Sequence, residues 1–250
     1  MGKLKRNLII CLIMLCSLCY GADKKKEINV TASTSWTAAF ADLAGVDNIK
    51  IIAPADLKHP PEYEITVSDV LNVSRSDYFI YAGFERMMET LGSTLGNENS
   101  VKMIKITCDN SIDTVVKNAA LISEIIGTEE ESKKRVGRYV DYIKKARKDL
   151  SEKGLEGASV LCHKHQVFLA KELGFNVLET FGPGPVTSGQ LVNAKNGKFD
   201  FIIDNIHNPV GQPLYEVSPE SKYIIWRNFP DKVEKNSLLH VIQSNVSLIF

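Results

Sequence analysis

Residues 129–152 read EEESKKRVGRYVDYIKKARKDLSE, and this stretch decides the fold. Val136, Tyr139, Val140, Ile143 and Leu150 recur on one stripe at helical spacing, while the other face is Lys, Arg, Glu and Asp. The pattern predicts one long charged helix, the only one in the chain, about where the mature chain divides in half. On both sides of it, short apolar runs alternate with helix-like segments. Before it, strands are expected at 28–30, 49–53, 78–81 and 103–107, with helices opening at the Ser33-Thr34-Ser35 cap cluster, at Ser68, at Phe84 and at Ser111. After it, strands are expected at 159–162, 176–178, 199–203 and 223–226, with helices at 166–173, 188–196, 213–216 and 237–248. Strands alternating with helices imply parallel sheets covered on both faces. The expected fold is therefore α/β, with two similar lobes of mainly parallel sheet, at 22–127 and 154–250. One long rigid helix over 128–153 joins them, and a ligand cleft lies between.

The first residues carry a processing signal. Lys3, Lys5 and Arg6 precede an apolar run over 8–18, and Cys19-Tyr20-Gly21 puts small residues where signal peptidase reads. The run is shorter than the roughly 20 residues a spanning helix needs. A signal peptide over 1–21 is expected, cleaved after Gly21 or Ala22, which makes the protein periplasmic or otherwise exported. Membrane anchoring is the competing reading, through a lipidated Cys16 or Cys19 or through an uncleaved signal. Lys plus Arg equals Asp plus Glu at 30 each, which gives no basic footprint for nucleic acid. The mature chain keeps Cys108 and Cys162, either paired in a disulfide or lining the cleft.

Three apolar runs end in histidine. Leu161-Cys162-His163-Lys164-His165-Gln166 closes one, and strand ends face the cleft where α/β proteins bind ligands. His59 follows the 49–54 run in a turn that Pro60 and Pro61 hold extended, and Asp204 ends the 199–204 run with His207 following it. Imidazole is the commonest metal ligand type, so His59, His163, His165, Asp204 and His207 form a candidate first-row metal set. Each has a plainer reading. His165 lies two residues beyond His163 and is either a second ligand or solvent-exposed, and Asp204-Asn205-Ile206-His207-Asn208-Pro209 is also rich in turn formers. Glu85 is either a cleft carboxylate or a helix-dipole partner, and His240 reads as a surface residue. Gly182-Pro183-Gly184-Pro185 lacks the lysine and the amide donors of a phosphate loop.

The order of these elements resembles the zinc- or manganese-binding solute-binding proteins of metal ABC transporters. The likeness runs over Ala44-Gly45, Glu62-Tyr63-Glu64-Ile65-Thr66-Val67-Ser68-Asp69, Asp77-Tyr78-Phe79-Ile80-Tyr81-Ala82-Gly83-Phe84-Glu85, and His163 with Leu169-Ala170-Lys171-Glu172-Leu173-Gly174-Phe175. The resemblance implies two lobes on a rigid helix, transport binding rather than catalysis, and a metal held at the lobe interface by three or four His, Glu or Asp side chains. It places His163 on the second-lobe ligand. It places Pro61 where a first-lobe His is usual, with His59 two residues earlier. Asn110 falls near the other first-lobe His, and Trp226-Arg227-Asn228 near the last carboxylate, with Asp231 the nearest acid.

The resulting expectation is a monomeric exported receptor that captures Zn²⁺ or Mn²⁺ and delivers it to an ABC permease. Imidazoles favour zinc and carboxylates would favour manganese. A receptor for a metal chelate or another small molecule is the alternative. A secreted metallohydrolase using His163, His165, Asp204 and His207 ranks below both, since no general base stands beside that set.

Overall fold

The computed structural model of the protein describes residues 28–94 and 101–250. The expected signal peptide over 1–21 lies outside the described residues. The first half of the chain forms a four-stranded sheet of β1 (Val30–Ala32), β2 (Ile49–Ile51), β3 (Tyr78–Tyr81) and β4 (Lys102–Lys105), in the order β2-β1-β3-β4. The second half repeats the plan with β5 (Ser159–His163), β6 (Asn176–Phe181), β7 (Phe201–Asn205) and β8 (Lys222–Trp226), in the order β6-β5-β7-β8. Every adjacent pair is parallel. Parallel neighbours need a crossover, which helices supply. In the first half these are α1 (Ser35–Leu43), α2 (Val67–Ser74), α3 (Met87–Thr94) and α4 (Ile112–Ile126). Helix α5 (Glu129–Glu152) joins the halves, and α6 (Val167–Glu172), α7 (Ser188–Asn196), α8 (Gln212–Val217) and α9 (Ser237–Ser247) complete the second. The expected α/β fold of two parallel-sheet lobes is what the chain forms.

Cap chemistry sets the helix starts. Thr34 and Thr37 form a reciprocal capping box at α1, and Ser111 caps α4. The expected start at Ser68 moves two residues earlier. Thr66 has an acid three residues on, Asp69, whose carboxylate accepts the Thr66 amide, whereas Ser68 would have had Leu71 there. The helix expected from Phe84 begins at Met87, because the Glu85 carboxylate folds back to accept the amides of Ala82 and Gly83.

Helix α5 is about 36 Å long at 1.5 Å per residue, and Glu129, Glu130 and Glu131 fill its first turn, where the helix dipole favours acids. Its buried side is Ser132, Arg135, Tyr139, Ile143, Ala146 and Leu150. Tyr139, Ile143, Ala146 and Leu150 enter one apolar cluster with Phe40, Val115 and Ile122 of the first lobe. Val160, Leu169, Phe201 and Trp226 of the second lobe belong to the same cluster. The lobes thus share a core through the helix, which limits how far one can swing from the other. Arg135, read from sequence onto the charged face, is instead fully enclosed. Its guanidinium meets Asp42 Oδ1 at 2.7 Å, Asp47 Oδ1 at 2.8 Å and Glu131 Oε1 at 2.9 Å. Asp42 also accepts the Asn236 amide of the second lobe at 2.7 Å.

In each sheet the chain crosses to one side and then returns past its first strand. The reversal leaves a crevice at the carboxyl ends of β1 and β3, and another at those of β5 and β7, the usual ligand position in open parallel sheets.

Candidate functional site

At the first crevice Ser33 follows β1 and Glu85 follows β3. Ser33 donates to Glu85 Oε1 at 2.5 Å, and the same carboxylate takes the Ala82 and Gly83 amides at 2.8 and 2.5 Å. Glu85 is 2% exposed. It therefore closes the top of the first sheet and has little capacity left for a ligand. At the second crevice Asp204 is enclosed in the same way. Its carboxylate accepts the Gly211 amide at 2.7 Å and the Tyr223 hydroxyl at 2.7 Å. The carboxylate together with burial pushes the Tyr223 phenol up, burial contributing most.

His163 ends β5 with 0% exposure. Its Nδ1 accepts the His165 amide at 3.2 Å and its Nε2 meets Asn208 Oδ1 at 3.3 Å. Phe181 stands edge-on to the ring at 5.5 Å, and Gly182, at φ +68°, passes so close that any Cβ there would collide with the imidazole. Both ring nitrogens are thus engaged inside the second lobe.

A cavity of about 330 Å³ opens between the lobes. The first lobe gives it Trp36, His59, Pro61, Phe84 and Cys108, with Lys58 at its side. The second lobe gives it His165, Asn205, His207, Asn208, Asn228 and Phe229. Of the five candidate ligands, the structure brings His59, His165 and His207 to this cavity and leaves His163 and Asp204 out of its lining. His163 stands directly behind His165, with ring centroids 5.1 Å apart. Among the described residues no group of three or more His, Cys, Asp or Glu side chains converges closely enough to hold a metal ion as the chain stands.

The cavity is aromatic on one side. The His207 ring stacks on Phe229 with centroids 3.6 Å apart, and Trp36 lies 5.7 Å from Phe229. Burial pushes the His207 imidazole down to about 4, and the Arg227 guanidinium acts in the same direction. Burial also lowers His163 and His165. Near neutral pH these rings are uncharged, and His165 and His207, unlike His163, each keep a lone pair to offer a metal or a donor. Two buried polar atoms of the lining lack partners, His207 Nε2 and Asn228 Oδ1. A buried polar atom without a partner costs about 1–3 kcal/mol, which a ligand can recover.

The lobes are tied beside the cavity. Asn110 Nδ2 donates to the Asn228 carbonyl at 2.9 Å, Trp36 Nε1 donates to Asn110 Oδ1 at 3.2 Å, and Tyr139 of α5 donates to the Asn110 carbonyl at 2.9 Å. Asn110, which the resemblance sets near a first-lobe ligand position, thus forms an interlobe clasp with the Asn228 backbone. Cys108 and Cys162 are both free thiols. Cys108 lines the cavity, and burial holds its thiol protonated, with Glu85 and Asp109 adding to the effect. Cys162 is enclosed in the core at β5. The sequence reading missed Trp36, Phe84, Asn228 and Phe229 as cavity walls. The available signal was their position, each just past the carboxyl end of a strand.

A larger recess of about 800 Å³ lies at the start of α5, lined by Gly45, Asp47, Glu129, Glu131, Arg135 and Lys235. Its charges already pair with one another, as Arg135 with Asp47 and Glu131 and Lys235 with Glu131 show. No described helix is long and apolar enough to cross a membrane.

No family model matches the sequence, and no curated protein matches it. Solved structures do. The fold is similar to that of a laminin-binding adhesin from Streptococcus agalactiae, at TM-score 0.66 and 14% identity over 89% of this chain and 98% of that one. It is similar to a Mn-bound periplasmic metal binding protein from Candidatus Liberibacter asiaticus, at TM-score 0.62 and 16% identity over 89% and 98%. It is likewise similar to the laminin-binding protein of Streptococcus pyogenes, at TM-score 0.63 and 15% identity over 90% and 98%. At these identities the likeness is one of fold, and it covers both lobes and the helix between them.

Proposed function

We propose that the chain is the exported solute-binding component of an ABC transporter, which takes a divalent first-row metal into the interlobe cavity and delivers it to a membrane permease. The observation that carries this reading is the meeting of His59, His165 and His207 at one cavity from both lobes. Two of the similar folds support it, one described as Mn-bound and periplasmic, the other as an adhesin with metal transporting activity. In this reading His163 fixes the His165 backbone and Asp204 fixes the Gly211 turn. Neither touches the metal. Closing the lobes by a small amount brings the three imidazoles onto one ion, within the limit set by the shared core.

Imidazole donors suit zinc, and no carboxylate lines the cavity to favour manganese. Zinc is therefore the first choice and manganese the second. In this reading the receptor works as a monomer and transports rather than catalyses, as the metal transporting activity described for one similar fold supports. The test is calorimetric titration of metal-stripped protein with Zn²⁺ and Mn²⁺. Saturable zinc binding in the micromolar range or tighter supports the reading, and no heat with either metal contradicts it.

A second reading, a metal chelate or other small molecule as ligand, is favoured by size. A cavity of about 330 Å³ is small-molecule sized rather than ion sized. Pro61 and Asn110 also stand where the resembled family supplies His ligands.

A further inference from the structure

Imidazoles suit zinc as donors, but nothing in the cavity lining balances the charge of a bare dication. The donors in the lining include three imidazoles and side-chain amides, with no carboxylate, and the one formally charged side chain there is Lys58, a cation. The nearby acids are committed elsewhere. Glu85 is bound by Ser33 and two amides, Asp204 by Gly211 and Tyr223, and Asp231 by Arg227 at 3.3 Å. A dication taken out of water here would keep its full charge beside a lysine, and burying an uncompensated charge is costly. Three imidazoles also leave a first-row metal at least one open coordination position. Asn228, 4% exposed, lines the same space and carries a buried Oδ1 acceptor without a partner, which calls for an N–H or O–H donor. Trp36, Phe84 and Phe229 add apolar wall that no hydrated ion would use.

We propose that the cavity takes its metal as a complex with a small amino-carboxylate chelator, such as a free amino acid. This rests on the metal-receptor reading above and deepens it. The chelator's carboxylate supplies the missing negative charge to the metal and faces Lys58. Its metal-bound amine donates to Asn228 Oδ1. Its carbon skeleton packs on Trp36 and Phe229. His207 Nε2, the other unpartnered atom, completes the metal's coordination together with His59 and His165. The association is ligand exchange only, since the imidazoles displace water from the complex and no covalent or redox step occurs.

The test compares Zn²⁺ alone, L-histidine alone and Zn²⁺ premixed with L-histidine, titrated into metal-stripped protein. A chelator lowers free zinc, so it weakens binding of a bare ion, but it strengthens binding of a ternary complex. The expected result is apparent zinc affinity at least about tenfold tighter with L-histidine present, with one L-histidine bound per metal by equilibrium dialysis. Lys58→Ala, at an exposed position, should lose most of that enhancement and keep the melting temperature. Zinc binding that weakens in step with free zinc as L-histidine is added would overturn the chelate proposal and leave the metal receptor standing. Zinc bound in neither form would overturn both, and L-histidine bound as well without metal would also overturn the chelate proposal.

Discussion

Asn110 donates from its side-chain amide to the backbone carbonyl of Asn228 at 2.9 Å, so one first-lobe side chain latches the second lobe beside the ligand cavity. The same Asn110 receives the Trp36 indole at 3.2 Å and, through its own carbonyl, the Tyr139 hydroxyl of α5 at 2.9 Å. Lobe, lobe and linking helix therefore meet at one residue. Asn110→Ala removes two of these bonds and leaves the Trp36 donor without its acceptor. The expected loss is about 1–3 kcal/mol, read as a lowered midpoint in urea unfolding. Ligand affinity should change as well, because the latch sets the resting distance between the imidazoles.

Arg135 is the second tie, and a stronger one. Its guanidinium is fully enclosed against Asp42, Asp47 and Glu131. Removing one partner of a buried ion pair leaves a charge without compensation, so Arg135→Met should cost about 3–5 kcal/mol. Arg135→Met with Asp42→Asn should recover a substantial part of it. A double-mutant cycle by chemical denaturation checks both statements, and additive losses would contradict the coupling.

The long helix, the strand alternation and the two lobes were legible because they rest on local patterns. A 3.6-residue stripe over 129–152 and apolar runs bounded by Gly, Pro and Ser need no knowledge of distant residues. Arg135 was not legible as buried. Its spacing fits the inner face of α5, but a charge there makes sense only once Asp42 and Asp47 are known to face it. The site was legible in half. His59, His165 and His207 lie past strand ends as expected and reach the cavity, whereas His163, placed by resemblance on a ligand position, is taken up by His165, Asn208 and the close pass of Gly182. Those contacts span up to 45 residues, and no periodicity encodes them.

The enclosed imidazoles predict a pH dependence of stability. Burial takes His207 from the ordinary 6.5 down to about 4, and His163 and His165 are shifted in the same direction. The folded chain then binds fewer protons than the unfolded chain between those values. Stability is complete above about pH 6.5 and falls as pH drops toward 4, below which the His207 contribution is constant. Unfolding midpoints measured at several pH values check this, and His207→Gln should flatten the curve. A midpoint independent of pH across that window would contradict it.

The two roles assigned to neighbouring histidines separate by experiment. His165→Ala or His207→Ala should lower metal affinity by more than the about ten- to hundredfold that losing a supporting partner of a metal ligand costs, with little change in folding. Gly182→Ala should act in the opposite order. Its Cβ meets the His163 ring and its φ of +68° suits glycine, so stability drops first and affinity follows only through displacement of His165. Thermal melts and metal titration on the same preparations distinguish the two patterns.

The central claim is that histidines from both lobes hold the metal at one cavity, and the X-ray absorption spectrum of the zinc-loaded protein tests it most directly. The account predicts nitrogen and oxygen neighbours at about 2.0–2.1 Å with multiple-scattering features of two or three imidazoles. These should weaken stepwise in His59→Ala and in His207→Ala, which remove one ligand from each lobe. Sulfur neighbours at about 2.3 Å, or a spectrum unchanged by either substitution, would contradict it.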